Sequence, residues 1–149
     1  MPIGKSTILC IDPDPSAIWI ERRFLRKSGY EVIGASNAHD GLSVLKVASV
    51  DAVVLHSQEL LDSLLASVAM KQIRPEVRIV MVSDIELPED AFEIVDARVN
   101  KATEPEVLLS TLQSLLSAAL VLPFPERKTR CQTTTAAASD GVSLKISER

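Results

Sequence analysis

The sequence predicts an α/β domain in which a parallel sheet is covered by helices on both faces. Short segments at 8–11, 51–56 and 77–82 have continuous aliphatic centres, which are typical of strands that are buried on both sides. Between two of them, Leu60 and Val68 belong to a stripe of apolar residues at helical spacing. Strands and helices that alternate in this way form a parallel sheet with crossover helices.

The first half of the chain supplies two strand–helix units. After the first strand, Asp14 and Pro15 are the residue types expected at the N-cap and at the first position of a helix. Gly29 is placed to end this helix, and a second strand is expected at 30–35. Asn37 can then cap a second helix. The apolar stripe of that helix consists of Ala38, Leu42, Leu45 and Ala48.

The second half of the chain repeats the alternation. A third strand at 51–56 precedes the helix that carries Leu60, and a fourth strand at 77–82 precedes a weaker helix at 89–95. A short fifth strand at 97–100 leads to the last helix. Five βα units with right-handed crossovers favour the doubly wound, flavodoxin-like strand order 2-1-3-4-5.

Composition fits one globular domain followed by a tail. The 149 residues carry a net charge of −4 and are 46% hydrophobic, which suits a single core. We expect the domain at 1–122 and a flexible, low-complexity tail at 123–149, because Pro123 and Pro125 end the helical pattern. Within the tail, a short strand at 142–146 would require a partner that supplies a sheet edge.

Charge and hydropathy exclude several classes of partner. The tail holds five Lys/Arg and three Asp/Glu, so residues 1–122 keep 11 basic and 17 acidic side chains, a balance of −6. We therefore expect no nucleic-acid partner, because an acidic body cannot neutralise many phosphates. No apolar run reaches the roughly 18 residues of a membrane span, so we expect a cytoplasmic protein without membrane association. Cys10 is expected to be a buried side chain without a disulfide to Cys131.

The candidate site follows from the strand ends. In a sheet of this order a ligand site forms outside the carboxyl ends of the strands, at the switch point between the first and third. The side chains at those ends are Asp12, His56, Ser83 and Lys101.

At these strand ends the sequence resembles the receiver domain of two-component response regulators, of the chemotaxis-regulator kind, over roughly residues 6–120. The segments that carry the resemblance lie in the family's order at 8–15, 29–32, 51–55, 79–83 and 99–101. The resemblance implies that two acidic residues after the first strand bind a divalent cation and that an aspartate ending the third strand accepts a phosphoryl group. A Ser/Thr and a Lys ending the last two strands would then hold the phosphoryl oxygens.

The match to the family's pocket is partial. Asp12 keeps the first acid, but Pro13 stands at the second and has no carboxylate, while Asp14 could lean inward or serve only as the helix N-cap. The position of the phosphoacceptor aspartate is taken by His56. The resemblance therefore implies a degenerate phosphoacceptor pocket, which consists of Asp12, Asp14, His56, Ser83 and Lys101.

Three further positions depart from the family's pattern. Ala102 follows Lys101 where a proline is usual, Arg98 stands at the position of the aromatic switch residue, and the loop at 57–60 lacks the Pro-Gly turn. We therefore expect aspartyl phosphorylation to be lost. No nucleophile–base pair is recognisable, so we expect neither an enzyme nor a bound cofactor.

Three interpretations of His56 stay open. Its ring could fill space and hydrogen-bond to Asp12, which would hold the pocket in one state. It could be phosphorylated, with Lys101 and Ser83 holding the phosphate. It could bind a transition metal together with Asp12 and Asp14.

Two functions from different classes are compatible with the sequence. The first is an interaction module of two-component or phosphorelay signalling, whose partner is a histidine kinase, a downstream signalling protein or a second copy. It would dock through the face of the fourth helix, fifth strand and fifth helix, which includes Glu93, Arg98 and Glu104. The second is a flavodoxin-like module for flavin, cobalamin or a nucleotide. The Asp-x-His-x-x-Gly pattern of cobalamin sites is absent, since Val54 and Glu59 occupy its outer positions, and no phosphate loop follows the first strand.

Overall fold

The computed structural model describes residues 5–121, 129–131 and 142–147. In chain order the elements are β1 Thr7–Ile11, α1 Pro15–Lys27, β2 Glu31–Ala35, α2 Ala38–Val47, β3 Ala52–His56, α3 Leu60–Ile73, β4 Arg78–Ser83, a 3₁₀ helix Glu89–Glu93, β5 Ala97–Asn100, α4 Pro105–Val121, β6 Thr129–Cys131 and β7 Val142–Ser147. No helix in these residues is long and apolar enough to cross a membrane.

The described strands form one sheet in the order β2-β1-β3-β4-β5-β7-β6. The first five are parallel, so the predicted order 2-1-3-4-5 is confirmed. β7 then pairs antiparallel with β5, and β6 with β7. The edge that a strand near 142–146 requires is thus supplied by this chain's own β5. The division of the chain at residue 122 stays a prediction, and the remainder of 123–149 lies outside the described residues.

Two apolar cores lie on opposite faces of the sheet. On one face, residues of β1, β3 and β4 such as Leu9, Val53 and Met81 pack under α2, α3 and the 3₁₀ helix. On the other face, alternate residues of the same strands pack with α1 and α4, including Leu25 and Leu112. Because the strands are buried on both faces, they carry the continuous apolar runs seen in the sequence.

The prediction of an α-helix at 89–95 is wrong. The segment forms a 3₁₀ turn instead, in which the backbone N–H of Ala91 donates to the carbonyl of Pro88, at 3.0 Å. Ala91 and Phe92 are both buried, while Glu89 and Asp90 face solvent. Two adjacent buried residues anchor one tight turn and do not make the stripe that a longer helix needs. The described residues therefore hold four α-helices rather than five.

The predicted helix boundaries of the first half are confirmed. The carboxylate of Asp14 accepts a hydrogen bond from the backbone N–H of Ser16, at 3.0 Å. The side chain of Asn37 accepts one from the N–H of Asp40, at 2.8 Å. Gly29 follows α1 with φ of +100°, a conformation that glycine adopts without strain. Asp14 and Gly29 thus mark the two ends of α1, and Asn37 marks the start of α2.

Candidate functional site

The parallel pairing of β1 and β3 brings Asp12 and His56 side by side. Ile11 is in register with Leu55, so the next residues along both strands are neighbours at the carboxyl edge. Side chains alternate along a strand, and Cys10 and Val54 belong to the core under α1 and α4. Asp12 and His56, two residues further on, are therefore on the side of the sheet that α1 covers.

α1 contributes a second carboxylate to this place. Nε2 of His56 lies 3.1 Å from each of the two carboxylate oxygens of Glu21. The side chains of His56 and Glu21 are each only 14% exposed. Hydrogen bonds between a charged donor and a charged acceptor are stronger than neutral ones, and partial burial strengthens them further.

Asp12 lies at the other side of the imidazole ring. Its Oδ2 is 3.4 Å from Nδ1 of His56, and its Oδ1 accepts a hydrogen bond from the backbone N–H of Asp14 at 2.9 Å. Each ring nitrogen of His56 thus faces a carboxylate. We name these three side chains, Asp12, Glu21 and His56, the ion cluster.

The ion cluster stabilises the protonated ring. Burial by itself lowers the pKa of His56, but the hydrogen bond and charge of Glu21 and the charge of Asp12 outweigh it, so the pKa is raised above 6.5. The charge of Lys101 acts in the opposite direction. The mostly buried ring between Asp12 and Glu21 therefore holds its proton to a higher pH than an ordinary histidine does.

Cys10 lies beneath the ion cluster. It is fully buried, which confirms the prediction from its apolar run. Burial raises the pKa of Cys10 well above its ordinary value, and the charge and hydrogen bond of Glu21 raise it further. Cys10 is therefore a neutral thiol, which is neither a nucleophile nor a good metal ligand.

The other predicted pocket residues do not join the ion cluster. Asp14 is exposed and caps α1. The hydroxyl of Ser83 is engaged in a turn, where it donates to the carbonyl of Ile85 at 3.1 Å and accepts from its N–H at 3.0 Å. Lys101 is exposed, and within the described residues Asp12 pairs with His56 rather than with this lysine.

Arg98 is not part of an exposed charged surface, which corrects the prediction for the docking face. It is only 5% exposed, and its guanidinium donates to the backbone carbonyl of Ser83 at 3.0 Å. β7 pairs with β5 at this residue. Burial lowers the pKa of Arg98, while the charges of Glu86 and Asp84 oppose this shift. Arg98 thus ties the end of β4 to β5.

The residues present do not fit the divalent cation that the resemblance implies. Mg²⁺ prefers several oxygen ligands with octahedral geometry. Here one oxygen of Asp12 is bound to a backbone N–H, the other faces His56, and Pro13 offers no oxygen from its side chain. Within the described residues, no group of three His, Cys, Asp or Glu side chains could hold a metal ion. The arrangement argues against the metal-binding interpretation of His56 with Asp12 and Asp14.

Glu21 is the site residue that the sequence analysis missed. Its signal was present, because Glu21 lies four residues after Ala17 and four before Leu25, on the same stripe that faces the sheet. A carboxylate on an apolar helix face requires a partner. His56 lies two residues after the core residue Val54 on β3, hence on the side of the sheet that α1 covers, and this placement identifies it as the partner of Glu21.

Comparison with known proteins identifies the fold. No family model and no curated protein matches the chain. Solved structures do match. One is a response regulator receiver domain from Methanospirillum hungatei, 21% identical with a TM-score of 0.70, and the match covers 76% of this chain and 94% of that one.

Two further structures agree. The chemotaxis protein CheY4 of Vibrio cholerae is 21% identical with a TM-score of 0.67, over 74% of this chain and 98% of its own. The response regulator TrrA of Thermotoga maritima, solved with Mg²⁺ and BeF, is 18% identical with a TM-score of 0.65, over 74% and 98%. This chain therefore has the CheY-like receiver fold, which is what the resemblance implied.

Proposed function

We propose that this chain is a pseudo-receiver, a receiver-fold module that acts in two-component or phosphorelay signalling through protein contacts and is not phosphorylated on aspartate. The observation that carries the proposal is the position of His56 between Asp12 and Glu21. The imidazole ring takes the place where the family has its phosphoacceptor, and it lies against the carboxylate of Asp12 that would otherwise face a metal cation.

In this pocket, the groups that phosphoryl transfer requires in the family are replaced or already hydrogen-bonded. An imidazole cannot form the acyl phosphate of the family, and phosphorylation of a ring nitrogen would require the loss of a contact with Glu21 or Asp12. The hydroxyl of Ser83 is already hydrogen-bonded to Ile85. Since positioning and charge neutralisation make up most of the catalysis of phosphoryl transfer, these engagements also argue against a phosphorylated His56.

The same contacts hold the pocket in one arrangement. The ion cluster joins α1 to β1 and β3, and Arg98 joins β4 to β5 through the carbonyl of Ser83. By the resemblance, Ser83 stands where the family has the hydroxyl that holds the phosphoryl group, and Arg98 stands at the position of the aromatic switch residue. We infer a constitutive surface that a histidine kinase, a downstream signalling protein or a second copy recognises in the cytoplasm, without catalysis.

The alternative, a flavodoxin-like module for a small ligand, has less support. The switch point between β1 and β3 is filled by the ion cluster, whose side chains are at most 14% exposed. A bound chromophore in the purified protein, visible in its absorption spectrum, would favour this alternative.

Phosphorylation is tested directly by intact-mass spectrometry. The full chain is incubated with acetyl phosphate and Mg²⁺, beside a His56→Asp/Pro13→Asp variant that restores both missing carboxylates. We expect no added phosphoryl group on the native chain and one on the variant. A phosphoryl group on the native chain, on an aspartate or as an acid-labile group at His56, would refute the proposal.

A further inference from the structure

The outer edge of β5 is defined by the direction of its backbone groups. The N–H of Asp96 donates to the carbonyl of Ile79, at 2.9 Å, so the backbone of Asp96 faces β4. N–H and C=O groups of successive strand residues point to opposite sides. Ala97 and Val99 therefore direct their backbone groups away from β4, toward the edge of the parallel sheet.

β7 covers this edge residue for residue. Ala97 is in register with Leu144, Arg98 with Ser143 and Val99 with Val142. Both outward-facing residues of β5 are thus paired. The Vibrio cholerae structure matches 98% of its own length with 74% of this chain, a smaller share than residues 1–122. A receiver fold of that size therefore needs fewer residues than the segment 1–122 contains.

The opposite edge of the sheet provides an internal contrast. The N–H of Glu31 donates to Ser6 and the carbonyl of Ala35 accepts from Asp12, so these residues face β1. Val32 and Gly34 therefore face outward. Among the described residues no strand pairs with them. Within the described residues, the β2 edge of the parallel sheet is open and the β5 edge is closed by β7.

We propose that the outer edge of β5 is a strand-docking surface, that β7 occupies it within the same chain, and that release of β7 opens it to the β7 strand of a second copy. Recognition by strand addition depends on backbone hydrogen bonds and register, and a second copy carries the same strand. The β6–β7 hairpin follows α4 after residues 122–128, a length that spans at most about 25 Å. That reach allows the hairpin to be exchanged between two touching copies, as in domain swapping.

The β5 edge rests on the proposed function, because strand release would regulate one side of a protein-contact module. It does not depend on the ion cluster. The edge lies at β5, beside the face of the fourth helix, fifth strand and fifth helix that the resemblance implies for docking. A partner that pairs with β5 has to displace β7. An open edge is also a site of unwanted association, so β7 keeps the chain from pairing through β5 until it is released.

The first test uses the native chain alone. Hydrogen exchange of single amides, followed by NMR, compares Ala97 and Val99 with Val32 and Gly34. We expect protection factors at β5 that exceed those at the β2 edge by about tenfold or more, because among the strands that the structure describes a partner pairs with the outer side of β5 and none with the outer side of β2. Equal protection at the two edges would overturn the proposal without any need for a variant.

The second test weakens the pairing of β7 with β5 by a substitution and then supplies the β7 sequence as a separate peptide. In a full-length Leu144→Pro variant, position 144 loses the N–H that faces Ala97, and Ser143→Ala serves as the control that keeps every backbone donor. We expect about tenfold lower protection at Ala97 and Val99 in the proline variant only, with Leu9 in β1 still protected as the sign of an intact fold.

A fluorescent peptide of residues 141–149 then stands in for the strand of a second copy. We expect it to bind the folded Leu144→Pro chain saturably and to restore protection at Ala97 and Val99. The native chain should bind at least about tenfold more weakly, because its own β7 competes, and a peptide with the same proline should not bind. A folded variant that fails to bind the peptide would refute the docking surface, whatever the outcome of the phosphorylation experiment.

Discussion

Nε2 of His56 lies 3.1 Å from both carboxylate oxygens of Glu21. The two residues are 35 positions apart in sequence, one at the end of β3 and the other in the middle of α1. Asp12 lies at the other ring nitrogen, so in the proposed pseudo-receiver this contact stands where the family has a pocket for a cation and a phosphoryl group. It also ties α1 to the carboxyl edge of the sheet.

The pKa of His56 should fall when Glu21 is replaced by Gln. The substitution removes the charge and the charge-assisted hydrogen bond that raise this pKa, and it leaves burial and Lys101, which lower it. An NMR titration of the imidazole resonances measures the change. Asp14→Asn is the matched control, because it removes the charge of an exposed carboxylate that caps α1. An unchanged pKa in Glu21→Gln would show that the contact is not formed in solution.

Stability should fall as the pH rises through the titration of His56. The pKa of His56 in the folded chain is raised above the ordinary 6.5. Its contribution to the free energy of unfolding is therefore fully present below pH 6.5 and is lost as the pH rises through the folded-state pKa. Urea denaturation from pH 6 to 9 compares the native chain with His56→Gln. The difference between them should shrink with rising pH, and a constant difference would contradict the ion cluster.

His56→Asp alone should destabilise the chain. It places a third carboxylate beside Asp12 and Glu21 and removes their cation. We expect a loss of about 2–3 kcal/mol in the free energy of unfolding, below the 3–5 kcal/mol for a fully buried broken pair, because solvent screens part of the repulsion. His39→Asp makes the same change at an exposed position of α2 and should shift stability by less than about 0.5 kcal/mol. Equal effects of the two variants would mean that His56 has no charge partners.

Gly34→Ala should push α1 away from the sheet. A Cβ atom at Gly34 would lie 2.8 Å from Cγ2 of Ile18, and we expect a cost of about 1–3 kcal/mol from this overpacking. The cost should be smaller in an Ile18→Ala background, as measured by a double-mutant denaturation cycle. Additive effects would show that the close approach of α1 and β2 does not constrain the chain.

Most of the fold could be predicted from local signals. Asp14, Asn37 and Gly29 mark helix ends by their own chemistry, and the apolar strands mark a sheet covered on both faces. The turn at Glu89–Glu93 could not be predicted, because its 3₁₀ form depends on how Ala91 and Phe92 meet the core. Nor could the pairing of β7 with β5, since a short strand gives no sign of which edge it will join.

The candidate site was predicted in part. The strand ends identified Asp12 and His56, because adjacent parallel strands place their last residues side by side independently of the conformation of the loops. Ser83 and Lys101 are at strand ends as well, but a turn to Ile85 engages the first and solvent surrounds the second. The helical stripe of α1 marks Glu21 as facing the sheet, but which strand end it meets depends on tertiary packing, so its contact with His56 could not be predicted.

The measurement that tests the central claim most directly is an NMR titration of the full-length chain with Mg²⁺ and beryllofluoride. If the ion cluster has replaced the phosphoryl site, the amides of Asp12, His56 and Ser83 should show no saturable shift, whereas His56→Asp/Pro13→Asp should show one. Saturable shifts of these three amides in the native chain would contradict the account.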